Sequence, residues 1–166
     1  MVTFEAELSV SSLETLIKDL EKYQKDLDNC LISINQAIAD KVYEIVMSRV
    51  PYKNSSGELM ASIQKEVTKE FARVYTVNDH ALFAEFGTGI IGADNPHPEA
   101  SVQGWTYDVN GHGEKGWFYN KGTTEEPDIY WTKGYEGRQY MYRAYIDIQK
   151  ELTQIAEQVL KQRGLI

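Results

Sequence analysis

The first third of the chain carries one long helical pattern of apolar residues. Ser11 or Ser12 is the predicted N-cap, and Pro51 ends the pattern because proline disfavours helical geometry in the residue before it. The spacing therefore predicts a helix over 12–49. Apolar positions alternate by three and four residues, interrupted at Gln24 and Lys41: Leu13, Ile17, Leu20, Leu27, Leu31, Ile34, Ile38 and Ile45.

A helix of this length has a geometric consequence. It would extend on the order of 55 Å at ~1.5 Å per residue, whereas a compact domain of 166 residues is about 40 Å across. The helix must therefore kink, project or lie against a neighbour.

Residues 56–86 predict a short helix followed by strands. The helix is expected over Glu58–Ile63, with Ser55 or Ser56 as its cap. Odd positions of the following stretch are apolar, which is typical of one or two strands: Val67, Phe71, Tyr75 and Val77.

The glycine-rich stretch 87–137 is predicted to be a loop and hairpin region. It holds 10 of the 12 glycines, a density that marks loops more than packed scaffold. Aromatic arms between Trp105 and Tyr119 flank Asn110 and Gly111, which is a hairpin signal.

The last element is a helix over 138–163, with Gly164 at its C′ position. Its apolar residues again step by three and four: Met141, Tyr145, Ile148, Leu152, Ile155 and Val159. The predicted fold class is α+β in one domain, 1–166. A small antiparallel sheet is flanked by the long N-terminal helix and the C-terminal helix, with a long Gly/aromatic-rich loop or hairpin insertion.

Composition and charge exclude several classes of function. With 17 Lys and Arg against 25 Asp and Glu, the net charge is −8, which disfavours a protein that grips nucleic-acid phosphates. No stretch is long and apolar enough for a membrane span, and the N-terminus lacks the basic opening of a secretory signal. Cys30 is the single cysteine, so no internal disulfide is expected and a reducing cytosol is the simplest compartment.

The segment Gly87–Gly92 matches the dinucleotide pattern G-x-G-x-x-G, but Pro96 and Pro98 follow it closely. Such a loop must open a helix whose N-terminal amides hold a pyrophosphate, and the prolines forbid one of useful length. We therefore expect no cofactor at this site.

The sequence provides little support for a metal site or for a catalytic nucleophile. The histidines and nearby carboxylates lack the short spacings of metal sites: His80, His97, His112, Asp79, Asp94 and Asp108. Cys30 lies on the apolar side of the first helix, as a buried structural cysteine would. Paired carboxylates remain the basis of an alternative, a carbohydrate-binding or glycan-cleaving module in which aromatic loops hold sugar rings: Glu125 with Glu126, or Glu85 with Asp94.

Aromatic residues are dense from Trp105 to Tyr145, where 3 Trp, 7 Tyr and 1 Phe occur. Rings on glycine-rich loops are difficult to bury within one chain, and Trp and Tyr are enriched where protein surfaces meet. The pattern favours an interaction surface, whose predicted anchors are Trp105, Trp117, Tyr119 and Trp131.

The order of three short motifs resembles the head-to-tail joining (neck, tail-completion or minor tail) proteins of long-tailed bacteriophages. The motifs are Ser-Gly-x-Leu-x-x-Ser-Ile over Ser56–Ile63, Glu-aromatic-Gly-Thr within Asp79–Gly89, and Gly-x6-Met-x-x-Ala over Gly134–Ala144. The likeness spans about residues 40–160. The insert from Gly92 to about Glu126 is longer than many relatives need.

The resemblance implies a structural protein, with no enzyme activity and no cofactor. It would form a six- or twelve-fold ring in the virion neck or tail, made in the host bacterial cytoplasm. Its partners would be its own copies and the portal, connector or tail-tube proteins. An acidic ring would let DNA pass without specific binding. A small cytosolic oligomeric adaptor is a further alternative.

The resemblance also points to a docking loop. Its residues are Glu85, Phe86, Gly87, Thr88, Gly89 and Gly92. Glu85 is expected to hold the loop base through hydrogen bonds to backbone amides. Valine at Gly87 and Gly89 is expected to leave the fold nearly intact while blocking incorporation into particles.

Overall fold

A computed structural model describes residues 9–50, 57–108, 111 and 115–166. The predicted α+β class is confirmed, with a long N-terminal helix, small antiparallel sheets and a C-terminal helix. The elements in chain order are α1 (Val10–Arg49), α2 (Glu58–Ala61), β1 (Ile63–Val67), β2 (Ala72–Thr76), α3 (Ala81–Phe86), β3 (Gly87–Thr88), α4 (Gly89–Asp94), β4 (Trp117–Asn120), β5 (Ile129–Thr132), β6 (Gly134–Glu136) and α5 (Tyr140–Gln162).

The long helix forms as one element, and its cap lies earlier than predicted. α1 has 40 residues and is therefore about 60 Å long. The Ser9 hydroxyl accepts the amide of Ser12 at 3.2 Å, so Ser9 caps the helix in place of Ser11 or Ser12. The apolar pattern reaches back to Val10, which moves the start of the helix upstream. Pro51, Ser55 and Ser56, predicted to end or cap helices, lie outside the described residues.

The chain divides into two compact units. The helical unit comprises the residues up to Ile45, together with Gln64–Tyr75 and Tyr145–Ile166. The central unit comprises Val46–Ile63 and Thr76–Ala144.

In the helical unit, α5 runs antiparallel to α1. Lys41 pairs with Glu151 at 3.9 Å, and Arg163 donates to the Ser33 hydroxyl at 2.6 Å. Cys30 is buried, as the sequence predicts.

The β1–β2 hairpin also packs along α1. The Asn35 side-chain amide donates to the carbonyls of Thr68 and Lys69, at 2.9 and 3.0 Å. These contacts fix the hairpin turn beside the middle of the helix. Phe71, predicted to be a strand residue, lies in this turn with 42% of its surface exposed.

In the central unit, a short strand pair links the residues that follow α3 with those that precede α5. β3 pairs antiparallel with β6, with Gly87 opposite Glu136 and Thr88 opposite Tyr135. The buried apolar residues of this unit include Val46, Val50, Leu59, Ile63, Ala81, Phe86, Ala100, Tyr140 and Ala144.

The hairpin of the glycine-rich region forms at a different place from the one predicted. β4 pairs antiparallel with β5, from Trp117 opposite Thr132 to Asn120 opposite Ile129. The predicted turn at Asn110 lies largely outside the described residues. β5 offers β-branched and aromatic partners to β4, and such cross-strand pairs stabilise a sheet more than a turn signal alone does.

Tyr140 gives a prediction about alkaline pH. Its side chain is 1% exposed and its hydroxyl donates to the Ala81 carbonyl at 3.3 Å. Burial, and then the nearby Glu85 charge, raise the pKa of Tyr140 well above its ordinary value of 10.0. The neutral form is thus favoured in the fold, so this contribution to stability is complete below pH 10 and is lost above it as the unfolded tyrosine ionises.

We expect Tyr140→Phe to cost about 1 kcal/mol of unfolding free energy at neutral pH, where a buried hydrogen bond is lost. Above pH 10 the difference from wild type should shrink or reverse, because phenylalanine cannot ionise. Urea unfolding at neutral and alkaline pH measures this. A difference that stays constant with pH would contradict it.

Candidate functional site

The predicted docking loop is an ordered, buried part of the central unit. Gly87 and Thr88 form β3, and Gly89–Asp94 form the short helix α4, which ends before Pro96. Gly87, Thr88, Gly89 and Gly92 are all buried. These residues therefore form a strand and a short helix in place of the predicted docking loop. Glycine density indicates loops in general, but here it permits a close approach between backbones.

That close approach gives Gly87 of β3 and Gly89 of α4 a structural role. A side chain on Gly87 would overlap the backbone of Tyr135 and Gly137, and Gly87 has φ +84°. A side chain on Gly89 would overlap Lys133. The expectation that valine at Gly87 and Gly89 leaves the fold nearly intact is therefore wrong, because it would force β3 and β6 apart.

Glu85 is a buried carboxylate at the end of α3. Its Oε2 accepts the amide of Met141 and its Oε1 accepts that of Tyr142, both at 2.9 Å. α5 begins at Tyr140, so these amides belong to its first turn, where backbone donors lack helical partners. Glu85 does bind backbone amides, as expected, but they are those of α5 and not those of residues 87–92.

His97 completes this buried polar cluster. Its Nδ1 accepts the amide of Glu99 at 3.0 Å, which places the ring hydrogen of the neutral imidazole on Nε2. Nε2 lies 3.1 Å from Glu85 Oε1 and donates to it. Both ring nitrogens are engaged within the chain, so His97 serves to orient Glu85.

Trp105 packs inside the central unit. Its Nε1 donates to the Gly87 carbonyl at 3.2 Å, and its ring lies 5.2 Å from Phe86 and 5.6 Å from Phe83. These contacts hold the residues after α4 against α3 and β3. Trp105, predicted to be an interface anchor, is half-buried here and stabilises the unit.

The β4–β5 hairpin carries the exposed aromatic surface of the central unit. Trp131 is 50% exposed and stacks edge-to-face on Phe118, which is 68% exposed, at 4.6 Å. On the other face Tyr119 lies opposite Tyr130. Trp117 and Tyr119 are half-buried. Of the four predicted anchors, Trp131 is the most open to a partner.

The aromatic surface includes residues that the sequence analysis did not single out. Phe118 and Tyr130 are exposed on neighbouring strands, and Lys121 lies over the Tyr130 ring at 4.5 Å. Trp117–Tyr119 and Ile129–Trp131 are continuous runs of apolar and aromatic residues, so no alternation with polar residues signals that Phe118 or Tyr130 is exposed. His97 likewise had no signal, because its partner Glu85 is distant in sequence.

Among the described residues, no group of three or more His, Cys, Asp and Glu side chains could hold a metal ion. In the same part of the chain, no helix combines the length and apolar character needed to span a membrane. Comparisons with protein-family models, curated proteins and solved structures find no match for the chain.

Proposed function

We propose that the chain is a structural component of the neck or tail of a tailed phage or prophage, forming a ring at the head-to-tail junction through which DNA passes. The observation that carries the proposal is that the described residues of the three motifs all lie in the central unit. Gly87 and Thr88 pair with β6, and Glu85 binds the amide of Met141. Leu59 and Ala144 are buried in the same unit. Chance matches to short motifs would scatter over the fold.

The chemistry of the central unit supports a structural role over an enzymatic one. The buried polar groups Glu85 and His97 are hydrogen-bonded to each other and to backbone amides. A carboxylate used in this way stabilises a helix terminus. The exposed chemistry is aromatic, at Phe118, Tyr130 and Trp131, and such residues dominate the energetics of protein interfaces.

In this proposal, the β4–β5 hairpin contacts a neighbouring copy or a portal, connector or tail-tube protein. The glycine-rich segment holds the hairpin's supporting unit together instead of docking itself. The net charge of −8, repeated around a ring, repels DNA phosphates and allows passage without specific binding.

The test is complementation of a phage or prophage that lacks this gene with the double variant Phe118→Ala and Trp131→Ala. We expect the variant to fold but to be reduced at least about tenfold in purified particles, because two exposed anchors worth about 1–2 kcal/mol each are lost. Mass spectrometry of the particles measures incorporation. Val102→Ala, at a residue 75% exposed in the same unit, is the matched control. Normal incorporation of the hairpin variant would contradict its contact role.

The glycan-binding alternative is favoured by the same exposed rings, because Tyr130 and Trp131 could stack on sugars. Glu125 and Glu126, which it would use, are exposed in the turn between β4 and β5. Incubation of the protein with purified cell-wall glycans separates the two functions. Binding that Trp131→Ala abolishes, or release of soluble sugar, would favour the alternative.

A further inference from the structure

The N-terminal half of α1 extends beyond the helix that packs against it. α5 ends at Gln162, and Arg163 contacts Ser33. From Asp28 back to Val10, α1 continues for about 27 Å. Leu16 is half-buried, and six other large apolar residues between Val10 and Leu31 are exposed: Val10 76%, Leu13 45%, Ile17 56%, Leu20 45%, Leu27 38% and Leu31 46%.

These residues follow a strict seven-residue repeat. Val10, Ile17, Gln24 and Leu31 occupy one position of the repeat, and Leu13, Leu20, Leu27 and Ile34 occupy the other. The pattern covers roughly three and a half heptads, the length at which a coiled-coil seam becomes a specific signal. The seam is exposed from Val10 to Leu31 and is suited there to a partner helix, with Gln24 setting the register.

Acidic and basic residues occupy different faces of this part of α1. At about 100° per residue, acidic residues border the apolar stripe on both edges and lysines lie on the opposite face. One edge carries Glu14, Glu21 and Asp28, and the other carries Asp19 and Asp26. The lysines of the opposite face are Lys18, Lys22 and Lys25. Together, the apolar stripe of residues 10–34 and these two borders form an acidic seam.

The acidic borders decide which partner fits. A second copy of the seam would bring acidic borders against acidic borders, which is unfavourable between paired helices. An anionic membrane surface would be repelled in the same way. Asp28 already illustrates the favoured pairing, because it binds Lys69 of the β1–β2 hairpin at 2.8 Å.

We infer that the acidic seam binds an amphipathic helix of another protein, whose apolar stripe is bordered by lysine or arginine. The apolar stripe supplies the buried area, and the borders select the partner and its register. This inference rests on the helical unit and is independent of the proposed function.

The experiment uses the full chain and two labelled synthetic peptides of about four heptads. Both peptides carry the same Leu and Ile seam, but one has lysine and the other glutamate at the border positions. Fluorescence anisotropy measures binding. We expect the lysine-bordered peptide to bind at least about tenfold more tightly, because several border pairs each contribute a modest amount. The preference should shrink at about 0.5 M NaCl, where surface charges are screened.

Two variants test whether the acidic seam is the binding surface. Leu20→Ser with Leu27→Ser should abolish binding of the lysine-bordered peptide. Far-ultraviolet circular dichroism of this variant checks that the 40-residue helix α1 is retained.

A charge-reversed variant controls for simple loss of structure, because its expected result is a gain of binding. The variant with Glu14→Lys, Asp19→Lys, Glu21→Lys and Asp26→Lys should prefer the glutamate-bordered peptide. Equal binding of both peptides by the wild type, or no binding of either, would overturn the inference. So would self-association of the wild type that the Leu20→Ser, Leu27→Ser variant abolishes, since the occupant would then be a second copy.

Discussion

Replacing Gly134 with alanine is expected to lower the free energy of unfolding of the central unit by about 4 kcal/mol or more. A methyl group there would overlap the Thr88 carbonyl, and Gly134 has φ +93°, a conformation that other residues rarely adopt. Both atoms in the clash belong to backbone, so no side-chain rotation relieves it. The variant must therefore separate β3 from β6. The expected loss is a large part of the net free energy of unfolding of a small domain, which is about 5–15 kcal/mol. Urea unfolding followed by tryptophan fluorescence measures the loss.

Gly104 provides the matched control for this prediction. It also has a positive φ, +65°, but a methyl group there would meet nothing within 4 Å. Gly104→Ala should therefore cost only about 1 kcal/mol, the conformational cost alone. Equal losses in the two variants would show that the contact between β3 and β6 is looser than described.

Removing the Glu85 side chain is expected to cost about 3–5 kcal/mol of unfolding free energy. Glu85→Ala leaves the amides of Met141 and Tyr142 without their acceptor at the start of α5. It also leaves His97 without its partner in a buried site. Glu85→Gln keeps the shape, but its NH2 group must face a donor, so we expect an intermediate loss of about 1–3 kcal/mol.

Glu125→Ala is the control for Glu85. Glu125 is exposed, and surface substitutions of this kind change stability by about 0.5 kcal/mol or less. Urea unfolding of Glu85→Ala, Glu85→Gln and Glu125→Ala measures the free energy of unfolding of each, and we expect the loss to decrease in that order. If Glu85→Ala were as stable as Glu125→Ala, the carboxylate would not be the cap of α5.

The helices could be predicted from the sequence because their signal is local. The apolar residues of α1 and α5 recur every three or four positions, and that spacing specifies a helix regardless of what covers it. The same holds for Gly164, whose φ of +68° confirms the predicted end of α5. The N-cap at Ser9 was missed because three serines, Ser9, Ser11 and Ser12, lie near the start of the helix.

Strand pairing and the buried polar cluster could not be predicted, because they join distant parts of the chain. β3 pairs with β6 although more than forty residues separate Thr88 from Tyr135, and Glu85 binds an amide 56 residues away. Glycines that look like a loop in the sequence are buried by these long-range pairings. Glu85 and Trp131 could be identified from the sequence as candidate site residues. The sequence did not indicate that Glu85 caps α5 or that Trp131 is half exposed on the β4–β5 hairpin.

The most direct measurement is imaging of particles made with and without this chain. We expect complete particles to show a ring of six- or twelve-fold symmetry at the head-to-tail junction. Particles lacking the chain should lose that density and fail to join or deliver their genome. Particles that lack the chain, yet have an unchanged junction and full infectivity, would contradict the account.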